Sequence, residues 1–92
     1  MNIKIEFDYH SMIIFIPDGY IYDVGKLQER FLEWVEEQPD CFVKGRSGFI
    51  ALSYDEKDFL KYINEVILQN TNEKAYFVQN KKHIKVNKII RF

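Results

Sequence analysis

The sequence predicts an α+β domain: an antiparallel-dominated sheet of five or six strands with two helices on one face, in the order ββαββαββ. Three observations lead there. The N-terminus alternates strictly between apolar and polar residues, two later stretches change to helical periodicity, and Gly-, Pro- or Asn-containing breaks separate short Phe/Val/Ile-rich runs. At 92 residues the chain is expected to be a single domain, 1–92. A chain of this size buries only about 60–65% of its unfolded surface, so the core must be dense. A composition of 47% hydrophobic and 16% aromatic residues supplies that density.

Residues 3 to 9, IKIEFDY, place Ile3, Ile5, Phe7 and Tyr9 on one strand face and Lys4, Glu6 and Asp8 on the other. His10 and Ser11 turn the chain into MIIFIP, whose continuous apolar character predicts a central strand covered on both faces, ended by Pro17, Asp18 and Gly19. From Asp23 to Gln38 the spacing predicts a helix with Val24, Leu27, Phe31, Trp34 and Val35 on its inner stripe. Asp23 is its N-cap, and Pro39 closes it. CFVK and GFIAL flank Gly45-Arg46-Ser47-Gly48 and read as a second hairpin.

A second helix follows, with Ser53-x-x-Glu56 as a capping box and Asp55 as the competing cap. Its apolar stripe is Phe59, Tyr62, Ile63, Val66 and Ile67, and Asn70-Thr71-Asn72 stops it. The two helices echo one another. Both open on Tyr-Asp, and Leu27, Phe31, Trp34 and Val35 match Phe59, Ile63, Val66 and Ile67. Duplication and the coincidence of two Asp-capped amphipathic helices both account for this. AYFV and HIKVNKIIRF then suggest a third hairpin, its last strand turning Ile84, Val86, Ile90 and Phe92 inward, with Lys88 snorkelling from the inner face or marking a bulge. The core is expected around Phe7, Phe15, Phe31, Trp34, Phe59 and Ile63.

Much chemistry is missing from the sequence. Two histidines and one cysteine cannot write a zinc spacing such as C-x₂-C or H-E-x-x-H, and Gly45 and Gly48 lack the Lys-Ser/Thr of a phosphate-binding loop. Asp8 and His10 offer at most two ligands on one strand face. No metal, cofactor or catalytic residue is therefore expected. An enzymatic alternative is a small ribonuclease using His10 and His83 as general base and acid, with Lys81, Lys82 or Arg91 on the transition state. Cys41 excludes an internal disulfide and reads as a core hydrophobe in a reducing compartment. The longest apolar run, residues 12 to 16, is far short of the roughly 20 residues of a membrane span. The expectation is a cytoplasmic protein with no membrane partner.

Charge is the strongest functional signal. The formal net charge is −1, yet residues 1 to 69 hold seven Lys/Arg against thirteen Asp/Glu, a net of −6. Residues 70 to 92 hold six Lys/Arg against Glu73, a net of +5. Glu29, Glu33, Glu36 and Glu37 follow i, i+4, i+7, i+8 spacing along one helix face, with Asp40 just beyond. They crowd the end where the helix dipole favours cations, at a cost of a few tenths of a kcal/mol per charge. Rigidly mounted carboxylates of this kind imitate a phosphate row. The leading expectation is a non-enzymatic immunity or anti-defence inhibitor that docks this face on a larger, nucleic-acid-acting protein. The alternative is a nucleic-acid-binding protein using Lys81, Lys82, Lys85 and Arg91, with Tyr76 or Phe77 stacking on bases. A third reading lets the basic last strand neutralise the acidic helix within the fold. The apolar second strand also allows a homodimer or a partner to cover the far side of the sheet.

Overall fold

The computed structural model describes residues 1–45, 48, 50–79 and 84–92. It is α+β, with two helices, a mixed four-stranded sheet and a separate two-stranded one. Strands β1 (Asn2–Glu6) and β2 (Ser11–Phe15) form the expected N-terminal hairpin, with Ile3 opposite Ile14 and Ile5 opposite Met12. Strand β1 ends three residues before the alternation predicts. The Phe7 N–H donates to the His10 carbonyl at 2.8 Å, which tightens residues 7 to 10 into a turn and leaves Tyr9 97% exposed instead of inward.

Helix α1 (Val24–Glu36) starts at Asp23, whose carboxylate accepts from the Lys26 N–H as the sequence predicts. A 3-10 turn at Pro39–Cys41 leads into β3 (Phe42–Lys44), which pairs with β4 (Ile50–Leu52). This hairpin forms where expected but does not join the main sheet. Helix α2 (Glu56–Tyr62) is capped by Asp55 and not by Ser53: Asp55 and Asp58 form the reciprocal capping box, which leaves Glu56 free for another role. Its continuation, Ile63–Ile67, is a π-helical turn, with the Leu68 N–H donating to the Ile63 carbonyl at 2.9 Å. The extra residue in that turn rotates Val66 outward and Leu68 inward, so the echo of α1 fails at Val66.

Strand β5 (Tyr76–Val78) pairs antiparallel with β2, and β6 (Lys88–Arg91) pairs parallel with β1. The sheet order is β5-β2-β1-β6. The expected third hairpin is therefore not formed, because β5 and β6 run in the same direction on opposite edges. A single sheet of five or six strands is likewise corrected to four plus two. Parallel pairing also removes the need for a bulge at Lys88, which opens β6 at the rim and is exposed.

Both helices pack on one face of the main sheet. There Ile3, Ile5, Ile14, Ile16 and Ile90 meet Leu27, Phe31, Val35, Phe59, Tyr62, Ile63 and Leu68. Phe31 is the hub, its ring within 6.1 Å, centroid to centroid, of those of Trp34, Tyr54, Phe59, Tyr62 and Phe92. Phe7 and Trp34 are only partly buried at the margin of this core. Phe15 lies on the other face against Tyr76, at 5.1 Å. Beside it Ile13 is 5% exposed, so the far side of the central strand is covered at that point within the chain itself.

Candidate functional site

The carboxylates proposed for docking occupy the outer side of α1 and the turn after it. Glu29, Glu33, Glu36, Glu37 and Asp40 are all exposed, and none has an ion-pair partner among the described residues. Leu27, Phe31 and Val35 fix the helix by burying its opposite side, so the acidic stripe is rigidly mounted. No basic residue lies in the last turn of α1 to offset the unfavourable dipole interaction.

Strand β6 does lie beside α1. The Gln28 side chain donates to the Arg91 carbonyl at 2.7 Å. Its cation, however, turns away from the helix: Arg91 Nε is 3.0 Å from Glu6 Oε2 across the β1–β6 pair. The intramolecular neutralisation of α1 is not formed among the described residues.

A second element adjoins the acids, and the sequence reading missed its importance. All six residues of β3 and β4 are exposed. Cross-strand pairing puts Phe42 opposite Leu52 and Lys44 opposite Ile50 on one side, and Val43 opposite Ala51 on the other. Phe42, Val43, Ile50 and Leu52 are 44%, 51%, 67% and 37% exposed, a large apolar outlay for an arm with two strands. The Ser53 N–H donates to the Cys41 carbonyl at 2.7 Å and closes its base. The radius of gyration, 14.1 Å, exceeds the roughly 12 Å of a compact chain this long. A signal existed in the sequence: FVK and FIAL carry adjacent apolar residues without alternation, in runs too short to be central strands.

Among the basic candidates, Lys81 and Lys82 lie outside the described residues, as does His83. Lys85 and Arg91 are exposed, Arg91 being engaged with Glu6. The aromatic half of the proposed nucleic-acid site is not beside them. Tyr76 and Phe77 are on β5, at the opposite edge of the four-stranded sheet, about 14 Å from β6 by strand spacing. Phe77 is also half-buried against the core and Tyr76 packs on Phe15, so neither ring stands beside Lys85 and Arg91.

His10 is held rather than poised. Its ring stacks on Phe7 at 5.0 Å, and Nε2 is 2.7 Å from Glu56 Oε2. That hydrogen bond holds the Glu56 carboxyl below its ordinary range. Asp8 is not part of the pairing. Among the described residues no three His, Cys, Asp or Glu side chains are grouped to hold a metal ion, and no helix is long and apolar enough to cross a membrane. Cys41 is 3% exposed, and burial raises its thiol pKa, with Asp58 and Asp40 adding to the rise.

No family model matches the chain, and neither a curated protein nor a solved structure is found to be similar to it.

Proposed function

We propose that the protein is a non-enzymatic binding module whose interface joins the acidic side of α1 to the β3–β4 arm. The observation that carries this reading is the apolar arm, with Phe42, Ile50 and Leu52 exposed on one side, emerging directly after Glu33, Glu36, Glu37 and Asp40. An isolated two-stranded hairpin is marginal in water, and exposed apolar side chains of this size favour an occupied surface. The partner these features fit is a protein with a basic surface beside an apolar cleft. The carboxylates would steer encounter and fix register, while the arm supplies the buried anchors.

A basic groove is what a nucleic-acid-acting protein presents to its substrate, and carboxylates on a rigid helix can occupy it in place of phosphates. An inhibitor of the immunity or anti-defence kind is the function this combination fits best. Neither the acids nor the apolar arm suits contact with nucleic acid, which repels the first and leaves the second unused.

The arm provides the test. Ile50→Asp places a carboxylate opposite Lys44, a favourable cross-strand pair at an exposed site. Capture experiments in the native host with the wild-type chain are expected to retain a protein at one-to-one stoichiometry, and with Ile50→Asp to lose it. Equal retention by both chains, or retention of nucleic acid alone, contradicts the proposal.

A further inference from the structure

A cavity of about 290 Å³ lies between the start of α1 and the end of α2. Its walls are the 20–23 loop, Lys26, Leu27 and Arg30 of α1, and Tyr62 and Ile67 at either end of the π-helical turn. Such turns are rare and cluster at functional sites. Asn64 braces this one by bonding both backbone groups of Ala75, at 2.8 and 3.1 Å.

The polar groups around the cavity divide into engaged and free. The Tyr20 hydroxyl donates to Glu73, the Tyr22 hydroxyl donates to the Gly19 carbonyl, and Asp23 Oδ1 caps α1. The two tyrosines therefore offer ring surface. Tyr62 is the reverse case. It is 4% exposed, yet no described residue hydrogen-bonds its hydroxyl. No fully buried side-chain oxygen among the described residues lacks a partner, so this one is reached by solvent, and Tyr62 lines the cavity. Burial raises its pKa, the nearby Arg30 guanidinium lowers it, and Glu33 raises it, so a cation and a carboxylate both lie within electrostatic reach of the hydroxyl. Lys26 and Arg30, one helical turn apart, have no ion-pair partner among the described residues.

We propose that this cavity binds a small aromatic phosphate monoester, with the ring against Tyr20, Tyr22 and Ile67 and the phosphoryl group on Lys26, Arg30 and the Tyr62 hydroxyl. Three separately mounted donors match the three terminal oxygens of a phosphate monoester better than the two of a carboxylate. The volume is at the small end for ligand sites, which suits a one-ring ligand or a mononucleotide.

Phenyl phosphate is the direct probe, and Trp34 is a built-in reporter: it is the single tryptophan, with its ring 5.4 Å from that of Tyr62. A saturable change in its fluorescence is expected, with inorganic phosphate and phenol each binding at least about tenfold more weakly. Lys26→Gln and Arg30→Gln, both at exposed positions, should each weaken binding about tenfold with an unchanged circular dichroism spectrum. Tyr62→Phe should weaken it about threefold or more while retaining the ring packing. Tighter binding of AMP, or of O-phosphotyrosine, supports the proposal and identifies the source of the phosphate. Absence of saturation up to about 10 mM, or equal affinity in Arg30→Gln, overturns it.

Discussion

His10 Nε2 lies 2.7 Å from Glu56 Oε2, tying the turn that closes the first hairpin to the first turn of α2. The contact spans 46 residues of sequence and connects the two halves of the chain.

Its signature is a pH dependence. The imidazole hydrogen bond lowers the Glu56 pKa, so the folded chain binds fewer protons at this site than the unfolded chain. The resulting stability is fully present above the ordinary carboxylate value of about 4.3 and is lost as pH falls through the lower folded value. Asp58 acts oppositely: burial raises its pKa, so its contribution favours the folded state at low pH and fades as pH rises through the folded value. Glu56→Gln should therefore flatten the acid limb of urea stability measured between about pH 3 and pH 5. A limb as steep as that of the wild type would show that the pair contributes nothing.

Phe31→Ala removes the ring at the centre of the aromatic core, where Phe31 is fully buried. The expected cost is about 3–5 kcal/mol, a large part of the roughly 5–14 kcal/mol available to a domain this size. Chemical denaturation should show it. Tyr9→Ala, by contrast, should change stability by no more than about 0.5 kcal/mol because Tyr9 is exposed. A strongly destabilised Tyr9→Ala would restore the inward position that simple alternation implies.

Those two positions illustrate what the residues disclose on their own. Local features are legible where one short-range interaction decides them. Asp23 caps α1, Ile3 and Ile5 alternate inward, and both strands flanking Gly45 and Gly48 pair as expected. Placement of β6 is different, because pairing of Ile90 with Ile5 depends on strands 85 positions apart, and an alternating run is the same for a hairpin and for a parallel edge. The π-helical turn is illegible for a related reason. An apolar set at Ile63, Val66, Ile67 and Leu68 fits either helical phase until Asn64 bonds Ala75. Of the candidate site, the acidic row on α1 was legible from spacing. That the hairpin stands apart from the main sheet, exposing Phe42 and Ile50, was not.

Cys41 should react slowly with thiol reagents in the folded protein, since it is buried and its pKa is raised by desolvation first, with Asp58 and Asp40 adding to it. Cys41→Ala should cost on the order of 1 kcal/mol and leave partner binding intact. Rapid native-state alkylation, or loss of binding with an intact fold, would give the thiol a role beyond packing.

The carboxylate row is most directly tested by reversing it. Glu29, Glu33, Glu36 and Glu37 are exposed and unpaired among the described residues, so a chain with all four changed to Lys should keep its fold and gain slightly in stability from the helix dipole. Side-by-side capture from the native host is the measurement. The wild type should retain a protein partner that the reversed chain loses, mainly through slower association. Undiminished retention of the partner by the reversed chain, or recovery of nucleic acid with no protein, would contradict it.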